Sequence, residues 1–247
     1  MYQPVAGTVV RLAAEAEAIG AVNTVVQSEG RFFGLNTDWL GVRAPLARLG
    51  GRGLRAVVLG AGGAAAAAAY ALVDLGMEVT VLARHPGQAI ALAARFGAGS
   101  GTLAEFDPTR IDVVVNATPV GMAPDKASIL GPDDLRDGMT VFDLVYTPPE
   151  TPLLRFARAA GATTVPGTAL FAHQAAAQCE AFFGLRVSAA EVEEVQDVVA
   201  RAIGGENVTT TIEGRERYPV NVRYMRDFRE DMGALGRVLV MTSDGQR

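Results

Sequence analysis

Gly60-Ala61-Gly62-Gly63-Ala64-Ala65 stands between a short apolar run, Arg55–Leu59 (RAVVL), and an alanine-rich run, Ala64–Leu75. No other stretch of the chain restricts its fold so narrowly. A glycine cluster ends the apolar run, and the alanines that follow hold no helix breaker, so the order is strand, tight turn, helix. The spacing is G-x-G-x-x-A, a form of the dinucleotide-binding fingerprint. Gly60 permits the turn, Gly62 lets a pyrophosphate approach the backbone, and the small Ala65 lets helix and strand pack closely. The helix N-terminus then offers N–H groups and a partial positive charge to the phosphates. Gly60, Ala61, Gly62, Gly63, Ala64 and Ala65 are therefore candidate cofactor-binding residues, the other reading being a purely structural turn.

The rest of residues 51–184 repeats the same alternation. Strands are expected at Glu78–Leu82, Ile111–Val115, Thr140–Asp143 and Ala162–Val165. Helices are expected at Gly87–Phe96, Thr151–Ala160 and Thr168–Phe183. Strands separated by helices imply βαβ units and a parallel sheet, doubly wound with helices on both faces. The last helix is expected to pack back toward residues 1–50. In that leading segment the pattern suggests a helix over about Ala6–Ile19 and short strands at Val22–Gln27 and Arg31–Leu35 around the Ser28–Gly30 turn.

The end of the second strand separates the two nicotinamide cofactors. An NAD-binding chain usually places an acidic residue there for the ribose 2′-hydroxyl. Here the sequence is Leu82-Ala83-Arg84-His85, with no acid. A guanidinium matches a phosphate, so Arg84 favours NADP, the other reading being a solvated surface arginine. His85 could add a second contact, although a lone loop histidine is more often just exposed.

Composition removes several other classes. The net charge is −5, against a basic nucleic-acid or anionic-membrane binder. One cysteine, Cys179, and two histidines, His85 and His173, leave no disulfide framework and no expectation of a metal centre. A reducing cytoplasm fits this cysteine usage. Residues 1–10 have no signal-peptide character. The uncharged stretch Ala56–Val73 has the length of a short membrane span, but the Gly60–Gly63 cluster would break such a helix.

A second set of polar residues lies outside the glycine turn. Asn23-Thr24 and Asn36-Thr37-Asp38 close the two early strands. They could bind a hydroxylated substrate, with Asp38 exchanging a proton with the reacting oxygen; turn chemistry explains the same residues. Asn116-Ala-Thr118-Pro-Val-Gly-Met122 follows the third strand, where ligands bind in open α/β sheets. Tyr146 follows the fourth strand on the same side. Gly167 opens the last helix, and Gln174 and Gln178 share one of its faces.

Taken together these pieces resemble the shikimate dehydrogenase (quinate/shikimate dehydrogenase) family. They are AIGAVNTVV at 18–26, GLNTDWLG at 34–41, GAGGAA at 60–65, NATPVGM at 116–122, DLVYTPPETPLL at 143–154 and GTALFAHQAAAQCEAFFG at 167–184. The resemblance implies NADPH-dependent, reversible reduction of 3-dehydroshikimate to shikimate, by a cytoplasmic monomer or homodimer with no nucleic-acid or membrane partner. It implies that Asp38 is the aspartate of a Lys–Asp catalytic pair and that Asn23 and Gln174 bind the shikimate hydroxyls. Tyr146 falls near the substrate, Arg84 at the 2′-phosphate, and Thr118 and Gly167 beside the nicotinamide.

Two departures from the family stand out. Its larger leading substrate domain, with a Ser-x-Ser motif, has no counterpart, and its catalytic lysine would fall near Met1 or Tyr2; the single lysine here is Lys126. The resemblance therefore implies an N-terminally truncated chain of impaired activity, with residues 1–50 a remnant of the substrate domain and 51–184 the cofactor domain. A non-catalytic NADP-binding module is the alternative. Residues 185–247 form an extension of different composition: alanine occurs 41 times up to residue 204 and once afterwards. From about residue 195 this tail resembles a porter segment of heavy-metal efflux pumps of the resistance–nodulation–division family, most specifically in GRERYPVNVRY at 214–224. The alternation of Tyr218–Tyr224 suggests a strand, and on the tail alone a fragment of a metal-efflux transporter is a further alternative.

Overall fold

The computed structural model describes residues 10–195, 206–213 and 216–222. The chain divides into two compact units, Met1–Arg186 and Val187–Arg247.

At the centre of the first unit is a six-stranded, wholly parallel sheet. Its strands are β4 (Arg55–Leu59), β5 (Glu78–Leu82), β6 (Gly99–Gly101), β7 (Val113–Asn116), β8 (Thr140–Asp143) and β9 (Thr163–Val165). They lie in the order β6-β5-β4-β7-β8-β9, so the winding reverses between β4 and β7. Helices α3 (Gly63–Asp74), α4 (Pro86–Phe96), α5 (Pro152–Ala159) and α6 (Gly167–Phe183) connect or follow the strands. This is the doubly wound α/β architecture expected from the alternation. β4, β7 and β8 are buried on both faces, as their unbroken apolar runs require. Ala56 and Val58 pack with α3 and α4 on one face, and Val57 and Leu59 pack with Leu153 and Ala157 of α5 on the other.

Ahead of the sheet, β1 (Val10–Leu12), α1 (Ala14–Ile19), β2 (Thr24–Ser28), β3 (Arg31–Leu35) and α2 (Asp38–Leu46) form a small layer. β3 pairs in parallel with β1 and antiparallel with β2. Two expectations are corrected here. The helix expected from Ala6 begins only at Ala14, because residues 10–12 pair with β3; the earlier part of that range lies outside the described residues. Asn23-Thr24 does not close a strand but opens β2; Asn36-Thr37-Asp38 does follow the end of β3, and Asp38 then opens α2, which the sequence reading did not anticipate.

Aromatic contacts join α2 to the sheet helices. Trp39 meets Tyr70 edge-on at 5.3 Å, and Tyr70 meets Phe96 at 6.1 Å. On its other side α2 touches α6 so closely that a Cβ on Gly41 would stand 2.6 Å from the Leu170 carbonyl oxygen. A helical Gly→Ala change ordinarily stabilises by roughly 0.5–1 kcal/mol. Here overpacking of about 1–3 kcal/mol should outweigh that gain. Gly41→Ala is therefore expected to lower the urea midpoint at unchanged m-value; a raised midpoint would mean the helices separate freely.

In the second unit, residues 189–195 are helical, and β10 (Glu206–Glu213) pairs antiparallel with β11 (Glu216–Val222). The strand expected at Tyr218–Tyr224 is thus seen as far as Val222. Residues 196–205, 214–215 and 223–247, which carry most of the tail that resembles an efflux-pump segment, lie outside the described residues. Among the described residues no helix is long and apolar enough to cross a membrane.

Candidate functional site

Parallel register brings the ends of β5, β4, β7 and β8 to one level. Leu59 pairs with Leu82 and Asn116, and Asn116 pairs with Asp143. The pairing continues one residue further, where Gly60 N donates to Leu82 O (2.8 Å), Ala117 N to Leu59 O (2.9 Å) and Leu144 N to Asn116 O (3.0 Å). Arg84, the glycine turn, Thr118 and Val145–Tyr146 thus leave the sheet side by side along its carboxyl edge. This edge, at the reversal of strand order, is where open α/β sheets bind ligands.

The glycine turn fits a dinucleotide. Gly60 has φ +112°, and a Cβ there would stand 3.1 Å from Ala117 O, so only glycine is accommodated without strain. A Cβ on Gly62 would meet nothing within 4 Å. Gly62, Gly63 and Ala64 are exposed, and no side chain caps α3. The first-turn N–H groups of that helix are open to an anion. Ala65 is fully buried, as close helix–strand packing requires. Arg84 and His85 are exposed beyond β5, with Arg84 Nε donating to His85 Nε2 at 3.4 Å.

Beside the turn, Asn116 is buried and fully engaged. Its Oδ1 accepts from Thr118 N (3.0 Å) and Thr118 Oγ1 (2.7 Å), and its Nδ2 donates to Asp143 Oδ1 (2.9 Å). Asp143, also buried, accepts in addition from Val145 N (3.1 Å) and Thr151 Oγ1 (2.6 Å). Burial pushes its carboxyl above the usual range, opposed by these three donors. The sequence reading missed Asp143 and Thr151. Their signal was a polar residue closing an otherwise apolar strand, and a threonine before Pro152 that caps α5.

Helix α6 links this edge to the early polar cluster. At its start, a Cβ on Gly167 would lie 2.4 Å from Val145 O, so glycine is demanded by the backbone that leaves β8. One turn on, Phe171 packs against the ring of Tyr146 at 6.0 Å. Gln174 follows about 10 Å along the helix from Gly167. There Thr37 Oγ1 lies 3.4 Å from Gln174 Oε1, and Gln178 Nε2 donates to Thr24 Oγ1 at 3.0 Å.

Asp38 sits in the same cluster. Asn23 Nδ2 donates to Asp38 Oδ1 (2.8 Å) and to Thr37 Oγ1 (3.0 Å), while Asn23 Oδ1 accepts from Thr37 N (2.9 Å). Burial raises the Asp38 carboxyl above its ordinary value, and the Asn23 hydrogen bond partly offsets this. A carboxylate so raised is moved toward the range useful for proton exchange. Lys126 is exposed in the loop after Met122. Among the described residues no three His, Cys, Asp or Glu side chains converge as a metal site.

The six-stranded sheet, the glycine turn and the ligand edge define the class: a Rossmann-type dinucleotide-binding protein. The likenesses to known proteins are narrower. No protein-family model matches the chain. The shikimate dehydrogenase (NADP(+)) of Salinibacter ruber is 44% identical over 179 residues, 66% of this chain and 63% of that protein. The shikimate dehydrogenase (NADP(+)) of Thermus thermophilus is 42% identical over 192 residues, 77% of this chain and 71% of that protein. The crystal structure of shikimate 5-dehydrogenase from Thermus thermophilus with NADP(H) and shikimate is 40% identical, with a TM-score of 0.69 over 76% of this chain and 72% of that one. The chain belongs to the shikimate dehydrogenase family. It spans 63% of the length of the Salinibacter protein and 71% of the Thermus one.

Proposed function

We propose that the chain performs the NADP-linked, reversible interconversion of 3-dehydroshikimate and shikimate. The observation that carries this reading is helix α6, whose first residue lies against the cofactor edge and whose Gln174 reaches the Asn23–Thr37–Asp38 cluster. An alicyclic polyol seated against Gln174 would then present a ring carbon toward Gly167 and Thr118.

When bound, NADPH supplies the hydride for the keto carbon. The exposed amides at the start of α3 hold the pyrophosphate, and Arg84 holds the 2′-phosphate. Asn23 and Gln174 orient the ring hydroxyls, and the Tyr146 ring borders the substrate. Reduction places negative charge on the former carbonyl oxygen, which must gain one proton. Asp38, raised by burial, is the group that exchanges it. Residues 1–50 serve the substrate and 51–184 the cofactor, apart from Tyr146 and Gln174, with 185–247 an extension; we assign the whole to a cytoplasmic monomer or homodimer. The likeness of the tail to a porter segment finds no support in the known proteins this chain resembles.

Shikimate oxidation followed by NADPH absorbance, with NADP and shikimate dissociation constants measured separately, tests the reading. Turnover abolished by Asp38→Asn supports it. Binding of both ligands without turnover would instead favour the non-catalytic module, for which the observation is that the hydrogen bond to Asp38 comes from an amide, Asn23. Arg84→Ala is expected to weaken NADP binding about ten- to a hundredfold, the loss of one charge-assisted contact, while NAD binding changes little. Equal loss for both cofactors in a fluorescence titration would reject the 2′-phosphate role.

A further inference from the structure

The hydrogen-bond cluster at Asn23 fixes its own proton directions, and it extends through Thr24 to Gln178, beyond the groups assigned above. Two fixed partners set the Asn23 amide. Thr37 N can only donate, so the atom facing it at 2.9 Å is the amide oxygen. An ionised Asp38 can only accept, so the atom facing it at 2.8 Å is the amide nitrogen. Thr24 Oγ1 lies 2.8 Å from that same amide oxygen and must give its single proton to it. Having spent its proton, the Thr24 hydroxyl can only accept from any further partner. The partner is Gln178 Nε2, at 3.0 Å, from a residue 154 positions away in sequence. The chain of donors therefore runs one way: Gln178 to Thr24, Thr24 to Asn23, Asn23 to Asp38.

We infer that Gln178 is a positioning residue, which through Thr24 holds the Asn23 amide with its nitrogen toward Asp38 and the substrate pocket. This rests on the proposed reading of Asp38 and Asn23 as substrate-site groups. Thr24 is 1% exposed, so water is a poor substitute for the Gln178 donor. Without that donor the Thr24 hydroxyl is free to rotate away, and Asn23 Oδ1 loses one of its acceptor bonds. The amide then spends part of its time turned over, with oxygen facing the carboxylate. Substrate hydroxyls meet the wrong polarity, and the Asp38 carboxylate loses its neutral donor. Gln178 itself touches none of the reacting atoms.

The test uses the full chain and two readouts. The first is the pair of Asn23 side-chain amide resonances in nitrogen–proton NMR spectra, assigned by their disappearance in Asn23→Asp. The second is the dissociation constant for shikimate by calorimetry, with NADP as the control ligand. Gln178→Met keeps side-chain length and removes the donor. It is expected to speed exchange of the Asn23 amide protons and to weaken shikimate binding, each by about tenfold, at unchanged NADP affinity. In a Thr24→Val background the same change is expected to alter neither readout, because the link is already cut. Gln178→Glu is the second variant, used also if the first does not fold. A carboxylate cannot donate to Thr24, so it should reproduce the Gln178→Met effect or exceed it. Asn23 resonances unmoved in both variants would overturn the inference. So would full additivity of Gln178→Met with Thr24→Val. If the resonances move but the wild-type chain binds no shikimate, the positioning role stands and the substrate assignment fails.

Discussion

Asp38→Asn is expected to lower kcat/KM for shikimate oxidation by about 10²–10⁴-fold, the usual loss when a positioned acid–base group is removed. NADP affinity should stay within about twofold, because Asp38 opens α2 in the early polar cluster and its hydrogen bonds run to Asn23 and Asn36 rather than to the glycine turn. Stability should move the other way. In the folded chain burial holds the Asp38 carboxyl above its ordinary value. Between the ordinary and the raised value the folded state binds more protons than the unfolded state, so stability falls as pH rises through that window. Above it the full cost of a desolvated carboxylate is present. Asparagine does not ionise and carries none of this cost. The variant should therefore melt higher than wild type at neutral pH, with the difference closing as pH falls below the ordinary carboxylate value. Calorimetric melts at neutral and acid pH, beside steady-state kinetics, check both halves. Kinetics unchanged within threefold would remove Asp38 from the chemistry. A variant less stable at neutral pH would mean that the carboxylate is held by attractions stronger than its desolvation.

How far the sequence carried the structure depended on how local each signal was. β4, β5 and β8 were read to the residue, because each is a short apolar run closed by a turn residue or a change of polarity. The glycine turn was equally plain, since strand, turn and helix are contiguous. α2 was invisible for a physical reason. Asn36-Thr37-Asp38 has turn chemistry, while Gly41 and Pro45 read as breakers, yet Gly41 is there to meet Leu170 and Pro45 sits in the last turns. β6 is the edge strand Gly-Ser-Gly, which has no strand propensity of its own and forms only because β5 offers it a ladder. The candidate site divides the same way. Asn23, Asp38 and Gln174 stood in recognisable motifs. Asp143 acquires its part only through the register that sets it opposite Asn116, and the Gln178 bond to Thr24 exists only once α6 has returned across β2. Pairings of that kind are properties of the packed chain, and no window of sequence holds them.

Asp143→Ala carries the largest expected effect on stability. The carboxylate is fully buried and is the acceptor for three donors: Asn116 Nδ2, Val145 N and Thr151 Oγ1. Each donor left without a partner at a dry site costs about 1–3 kcal/mol, but the three share one cavity and the costs do not add. A total of about 3–5 kcal/mol is expected, more than one lost bond and less than the sum of three. That is a large part of the roughly 5–15 kcal/mol that holds a domain together. The damage should also reach the cofactor edge. Asn116, released from Asp143, no longer has a fixed Oδ1 to offer Thr118 N and Oγ1, so the loop after β7 loses its turn. Asp143→Asn separates shape from charge. Its oxygen can keep both N–H donors while its amide donates to Thr151 Oγ1, whose hydroxyl rotates to suit. It also relieves the burial that raises the aspartate. This variant should lose no more than about 1 kcal/mol at neutral pH and keep NADP binding. Urea titrations of the two variants decide the matter. A small loss in Asp143→Asn with a large one in Asp143→Ala assigns the residue to acceptor geometry. Equal large losses would mean that the negative charge itself, desolvated as it is, holds the β7 and β8 ends together.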